Sequence, residues 1–191
     1  MTLKILQVSE DELIRGCVKR ERNSQKQLYD TFSGKMYGIC YRYVKDPMLA
    51  EDVLVTAFTK IFEKIDQFKG DGSFEGWIRR IMVNESLTCL RRNRTMYVET
   101  DLESADRQPD YDNLSDHLHV EDLLTMIESL PAGYRIVFNM YAIDGYSHKE
   151  IADHLGISEN TSKSQLSRAR VYLQKLLLEQ DCSWKKKTEK R

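Results

Sequence analysis

Residues 145–170 read Gly145-Tyr146-Ser147-His148-Lys149-Glu150-Ile151-Ala152-Asp153-His154-Leu155-Gly156-Ile157-Ser158-Glu159-Asn160-Thr161-Ser162-Lys163-Ser164-Gln165-Leu166-Ser167-Arg168-Ala169-Arg170. Ser147 with Glu150 three positions later is a capping box, and it opens a short helix with Ile151, Ala152 and Leu155 inward. Two helices that cross steeply need a small residue at their contact, which Ala152 supplies. Gly156 gives the turn its permissive backbone, and Ile157 plugs the gap between the helices. Ser158 caps the next helix, with Glu159 in its first turn and Leu166, Ala169 and Leu173 inward. The pattern predicts a helix-turn-helix whose second helix, from Glu159 to about Lys175, enters a DNA major groove.

The outward side of that second helix supports this reading. Lys163, Ser164, Gln165, Ser167 and Arg168 combine a point charge, short hydroxyls, an amide and a guanidinium. Arginine suits guanine and glutamine suits adenine, whereas lysine and serine mostly hold phosphates. The alternative is a helical hairpin that only packs.

Upstream, Val120, Leu123, Leu124 and Ile127 predict a helix ending at Leu130-Pro131, and a second helix covers Ala132 to Ile143. Between Glu99 and Asp122 there are nine acidic residues against one basic, Arg107, with Pro109 and no apolar periodicity before Leu118. That composition predicts a flexible acidic linker separating two domains. Before it, Leu28, Phe32, Met36, Ile39 and Tyr43 place a helix over Gln25–Val44, with a further helical segment expected ahead of it. Asp46-Pro47 caps the next helix, on which Val53, Ala57, Ile61 and Ile65 form one stripe and Leu54, Phe58 and Phe62 its neighbour. Phe68 to Ser73 is a loop, and Ser73 caps a third helix with Trp77, Ile78, Ile81, Met82 and Leu90 on its buried side. From Gln180 the tail is polar and expected to fray. The expected fold class is all-α: two small helical domains joined by the linker.

The chain has 191 residues, 41% of them hydrophobic, and a formal net charge of -1. That excludes global disorder, and no apolar run is long enough for a spanning helix. With no signal-peptide pattern at the N-terminus, a soluble, cytoplasmic chain is expected. The near-zero charge hides two basic surfaces that the linker cancels. One lies between Gly76 and Tyr97, where five arginines (Arg79, Arg80, Arg91, Arg92, Arg94) face a single acid, Glu85. Arg80, Asn84, Leu87 and Arg91 share a helical face there. Beside them, Phe68, Phe74 and Trp77 surround a glycine-rich loop, a combination that suits unstacked bases caught against rings. The alternative is a solvated arginine face, with Phe74 and Trp77 as core; for Trp77 alone, core packing is the favoured reading. Cys17, Cys40, Cys89 and Cys182 and the four histidines, His117, His119, His148 and His154, lack zinc-ligand spacing, so no metal site or cofactor is expected. No catalytic motif occurs, so an enzyme is not expected.

Two sets of motifs together resemble a known family. Ala50-Glu51-Asp52-Val53-Leu54, Phe58-x-Lys60-Ile61-Phe62 and Phe68-Lys69-Gly70-Asp71-Gly72-Ser73-Phe74-x-x-Trp77-Ile78-x-Arg80-Ile81-x-x-Asn84 look like sigma region 2. Leu130-Pro131, Gly145-Tyr146-Ser147-x-x-Glu150-Ile151-Ala152 and Asn160 to Arg170 look like region 4. These are the two domains of the extracytoplasmic-function sigma factors of bacteria, and the match spans about Lys26 to Leu177. The resemblance implies region 2 over residues 1–96, a linker over 97–117, region 4 over 118–178 and a polar tail over 179–191. It implies partners as well: core RNA polymerase, through the clamp and flap of its two large subunits, promoter DNA, and an anti-sigma factor that is often membrane-bound, with no membrane insertion of this chain itself.

Carried over by position, the −10 element falls to Phe68, Lys69, Asp71, Ser73, Phe74, Trp77, Arg80, Asn84 and Arg91. The −35 element falls to Lys163, Ser164, Gln165, Ser167 and Arg168, and the polymerase clamp to Glu51, Asp52, Val55, Thr56 and Thr59. The linker is expected to pass near the polymerase active channel and RNA exit path. Three departures stand out. Val55-Thr56 replaces a frequent Gln-Glu, Ser162 stands where valine is common and implies less buried apolar area, and Gln165 stands where arginine is frequent. The competing function is a stand-alone helix-turn-helix regulator with an effector or dimerisation domain.

Overall fold

The computed structural model describes residues 9–93 and 120–188, and every regular element among them is helical. The chain divides into two compact units, Met1–Asn93 and Arg94–Arg191.

The first unit holds α1 (Glu10–Val18), α2 (Arg22–Val44), α3 (Pro47–Lys64), a 3-10 turn (Ile65–Gln67) and α4 (Phe74–Arg92). Helices α2, α3 and α4 pack mutually, and α1 lies on α2 and on the 3-10 turn. The apolar stripes read from sequence form this core. Leu28, Phe32, Met36, Ile39 and Tyr43 of α2 meet Val53, Leu54, Ala57, Phe58 and Ile61 of α3, with Ile78, Met82, Leu87 and Leu90 of α4. Each large apolar side chain buried this way contributes about 1.5–3 kcal/mol against exposure. Helix α2 begins three residues earlier than the periodicity predicts, and the segment ahead of it is indeed a helix. A capping box starts that helix, in which the Glu12 amide donates to Ser9 Oγ and the Ser9 amide to Glu12 Oε2. Helix α2 stops at Lys45, which has a left-handed φ of 58°, and Asp46 then caps α3 by accepting from the Leu49 amide at 2.9 Å. Trp77 and Ile81, expected on the buried side of α4, are only half-buried.

The second unit holds α5 (Val120–Ser129), α6 (Ala132–Phe138) with a π-helical turn (Asn139–Ile143), α7 (His148–Leu155) and α8 (Glu159–Thr188). Helices α5, α6 and α7 pack against α8 around Leu130, Tyr134, Ile151, Leu166 and Ala169. Buried Arg135 donates from Nη1 to the Leu130 carbonyl at 3.0 Å, tying the α5–α6 corner, and burial lowers its pKa.

Three expectations change here. The buried apolar residues here are Met126 of α5 and Leu130 just past its end, while Leu123 and Leu124 are exposed, because only the far end of this helix reaches the core. The expected helix over Ala132–Ile143 loosens into the π turn, where the Asp144 amide reaches back five residues to the Asn139 carbonyl. Helix α8 continues past the expected end near Lys175 to Thr188, so residues 180–188 are helical where fraying was expected. Most of the predicted linker lies outside the described residues, and its last acids, Glu121 and Asp122, belong to α5. No described helix is long and apolar enough to cross a membrane.

Candidate nucleic-acid interfaces

In the first unit the loop after the 3-10 turn holds Gly70 at φ +80° and Gly72 at φ +108°, a region that L side chains enter only with strain. The Gly72 amide donates to the Gly70 carbonyl at 2.9 Å, folding the loop tightly and leaving Lys69, Asp71 and Ser73 exposed. Ser73 Oγ accepts from the Gly76 amide at 3.2 Å and so starts α4. An aromatic triad forms the base of the loop: the Phe68 ring lies 5.1 Å from Phe74 and 5.7 Å from Trp77, and Phe74 stacks on Trp77 at 5.8 Å.

Only two of these rings face solvent. Phe68 and Trp77 are half-buried, but Phe74 is 1% exposed and also meets Phe32 of α2. Phe74, expected among the DNA contacts, thus lies buried against the other two rings. Along α4, Arg80 and Arg91 are exposed and Asn84 is half-buried, while Leu87, which shares their face, is fully buried. The two arginines thus bracket a covered centre, with Arg91 Nε donating to the Leu87 carbonyl at 3.4 Å. Glu85, the acid among the arginines, takes Lys60 Nζ at 2.6 Å.

On α3, Glu51, Asp52, Val55, Thr56 and Thr59 are all exposed and fall within two turns on one side. Val55 is 59% exposed, and Met48 at the start of the helix is 78% exposed. The sequence reading missed Met48, which lies off both apolar stripes of α3 in an all-apolar first turn, Pro47-Met48-Leu49-Ala50.

In the second unit the turn forms as its residues require. The Ser147 amide donates to Glu150 Oε2 at 2.8 Å, and the Glu150 amide to Ser147 Oγ at 3.2 Å. Gly156 closes α7 at φ +68° with its amide on the Ala152 carbonyl, and Ser158 Oγ caps α8 by accepting from the Thr161 amide at 3.0 Å. The exposed face of α8 carries Lys163, Ser164, Ser167 and Arg168, joined by Asn160, which the sequence reading did not single out as a contact. Lys163 lies 4.0 Å from Glu159.

Gln165 differs from its neighbours. It is half-buried with its side-chain amide against Gly133 of α6, where an added Cβ would lie 3.5 Å from Gln165 Nε2. It braces the helix on its inner flank, away from the exposed face. Ser162 is fully buried, and its hydroxyl lies 2.9 Å from His148 Nδ1. The His148 ring stacks on Tyr141 at 4.5 Å, and the Arg170 guanidinium sits over the same tyrosine at 5.9 Å. Burial, then the nearby Lys163 charge, holds the His148 pKa below its ordinary 6.5, favouring the neutral ring.

Two family models match the chain in this order: Sigma-70 region 2 over residues 28–95 and Sigma-70, region 4 over residues 121–173. The chain is similar to the ECF RNA polymerase sigma factor SigE of Mycolicibacterium smegmatis, 29% identical over 81% of this chain, although it spans only 62% of that relative's length. It is also similar to the ECF sigma factor SigW of Bacillus subtilis, 27% identical over 86% of this chain and 94% of the relative. To the ECF sigma-E factor of Escherichia coli it is 28% identical over 86% of this chain and 92% of the relative. A solved structure of the sigma factor RpoE of Bartonella quintana, in complex with the anti-sigma factor NepR, covers 81% of this chain at 25% identity and a TM-score of 0.49. With both sigma-70 regions matched in sequence order and relatives of one kind spanning most of its length, the chain belongs to the extracytoplasmic-function sigma factors.

Proposed function

We propose that this chain binds core RNA polymerase and directs it to promoters by holding a −35 element and an opened −10 element. The observation that carries this reading is the pairing, in one chain, of a glycine loop over two half-exposed aromatic rings with a helix-turn-helix. Residues 1–96 act as region 2, 97–117 as the linker, 118–178 as region 4 and 179–191 as the tail. Clamp docking falls to Glu51, Asp52, Val55, Thr56 and Thr59, with Met48 extending the apolar part. Charged and hydroxyl groups around exposed apolar side chains suit a protein surface with a dry centre and polar rim.

Opening of the −10 element follows from the loop. Separating stacked base pairs costs about 1.4 kcal/mol per step. Each base stacked on an aromatic ring recovers about 1–3 kcal/mol. Phe68 and Trp77 supply those faces, buried Phe74 keeps them in place, and Lys69, Asp71, Ser73 and Asn84 offer hydrogen-bonding groups to a flipped base. Arg80 and Arg91 hold phosphates. Melting is thus offset locally once the polymerase brings the duplex to the loop.

At the −35 element, Arg168 reads a base edge, while Lys163, Ser164 and Ser167 set register on phosphates. Gln165 keeps its place in this interface as a brace between α8 and α6. The protein works as an initiation factor without a catalytic site of its own, needs no cofactor or metal, and acts in the cytoplasm where the polymerase is. An anti-sigma factor, membrane-bound or free, is the regulatory partner we propose from the family, in line with the NepR complex of RpoE.

Run-off transcription with purified core polymerase on a library of promoter-like templates tests the reading. Initiation dependent on this chain, at templates sharing two spaced elements, is the expected result. Tight duplex binding by the chain alone, with neither core binding nor initiation, would establish the stand-alone regulator instead.

A further inference from the structure

The corner between α1 and α2 carries a second basic cluster that the sequence reading did not single out. From Arg15 to Lys26 there are five basic residues and one acid, Glu21, the same balance as from Gly76 to Tyr97. Arg15, Lys19, Arg20 and Arg22 are exposed, and none of the four is in an ion pair among the described residues. Four other basic groups of this unit are paired, Lys26 with Asp30, Lys35 and Arg79 with Glu75, and Lys60 with Glu85, while Arg80, Arg91 and Arg92 of α4 share the corner's lack of an ion pair among the described residues.

Stability does not explain Arg20 and Arg22. Arg20 has φ +60°, a left-handed conformation that glycine adopts freely and an arginine only with strain. Arg22 is the first residue of α2, at the positive end of a 23-residue helix with no acid in its first turn. Arg15, in the last turn of α1, and Lys19, its C-cap, are placed as the helix dipole favours. Two neighbouring cations in locally unfavourable positions point to function rather than folding.

Their location supplies the partner. Helix α1 packs on the 3-10 turn (Ile65–Gln67), and the next residue, Phe68, opens the aromatic loop. The start of α2 lies at the same end of the bundle, with the Tyr29 ring 4.8 Å from Phe58 and the Phe32 ring 6.0 Å from Phe74. The acids Glu10, Asp11 and Glu12 occupy the opposite end of α1, and the 3-10 turn adds one exposed acid, Asp66.

We infer that Arg15, Lys19, Arg20 and Arg22 form a phosphate-binding surface that holds the backbone of the separated strand beside the aromatic loop. This rests on the −10 role proposed above. The loop takes the bases and the corner takes the chain that leads to or from them.

The test uses the full chain assembled with core polymerase and a fluorescein-labelled fork-junction DNA carrying a promoter that the holoenzyme selects. Arg20→Gly with Arg22→Gln removes two charges and relieves the left-handed strain, so thermal stability of the free chain stays level or rises. Core affinity, measured separately, is expected to stay unchanged. Losing two single-strand phosphate contacts lowers the slope of log affinity against log salt by about 1.4. Between about 50 and 200 mM salt the wild type then loses roughly sevenfold more affinity than the variant. An unchanged slope overturns the inference. So does a loss confined to core affinity, which would make the corner a polymerase contact. Failure of the wild-type holoenzyme to select or bind any template would instead sink the underlying −10 reading, and this inference with it.

Discussion

Gly16 sets how closely α1 approaches α2, and Gly16→Ala makes that distance measurable. A Cβ built at Gly16 lies 2.1 Å from Ser24 Oγ, 2.7 Å from Ser24 Cβ and 3.0 Å from Glu21 Oε2. The hydroxyl can rotate away, but Cβ is fixed to the backbone. The helices must therefore part by about 0.7 Å to bring 2.7 Å up to an ordinary 3.4 Å contact. Alanine gains about 0.5–1 kcal/mol in helix propensity. Forcing a methyl into a closed contact costs about 1–3 kcal/mol, so the expected net loss is about 1–2 kcal/mol. Because α1 rests on α2 and the 3-10 turn alone among the major contacts of its unit, the loss falls first on its own docking. Hydrogen exchange over residues 10–20 reads it directly, as protection reduced roughly five- to thirtyfold. Ser24→Gly removes both offending atoms and should restore most of that protection to the double variant. The resulting coupling energy of about 1 kcal/mol or more identifies the Gly16–Ser24 contact as the cause. Protection that is unchanged or raised in Gly16→Ala alone would refute the close crossing, and with it the placement of the basic corner.

The second unit and the α3 face yield three more expectations. Arg168→Ala should cost about 1–3 kcal/mol of discrimination at one position of the −35 element, whereas Gln165→Ala should lower thermal stability without changing base preference. Competition binding across single-base promoter variants separates the two, and a specificity change in the Gln165 variant would contradict its placement against Gly133. His148 has its pKa lowered by burial and by Lys163, so the unfolded chain takes up a proton more readily than the folded one. Stability contributed by the neutral ring is complete above about pH 6.5 and declines as pH falls below it; the unfolding of His148→Gln should lack that part of the pH dependence, and parallel curves would dismiss it. Replacing Met48 and Val55 together by alanine should weaken core polymerase binding by about 1–2 kcal/mol while leaving the fold intact, and unchanged affinity would remove α3's exposed face from the clamp contact.

What the sequence made legible was local in origin. Asp46-Pro47, Ser73, the Ser147–Glu150 box and Gly156 act within four residues of themselves, so spacing alone reveals their hydrogen bonds. The α2 stripe was readable for a similar reason, since one helix repeats its inward face every three or four residues. Periodicity reports which residues share a face but not what covers it. It could not tell Phe74, roofed by Phe32 and Phe68, from the half-exposed Trp77 stacked on it, nor explain why Leu87 is buried between exposed Arg80 and Arg91. On α5 the apolar residues run ahead of the contact, so Leu123 and Leu124 look like core and are not.

Ser162 shows the same limit most sharply. Judged by its neighbours in sequence, a serine at this inward position only subtracts apolar area. In the folded unit the hydroxyl meets His148 Nδ1, fourteen residues upstream, and that ring is held from its other side by Tyr141. The helix-turn-helix is thus tied by a polar contact at the point where its two helices approach. A net hydrogen bond of this kind is worth about 0.5–1.5 kcal/mol, against about 0.8 kcal/mol for each of the two valine methyl groups it displaces. The hydrogen bond therefore offsets much of the lost apolar burial, and it changes the character of the contact. The hydroxyl can donate to a bare Nδ1 or accept from Nδ1–H, so it is the burial of the ring and the Lys163 charge beside it, both disfavouring the charged form, that make this corner respond to pH in a way an apolar plug would not.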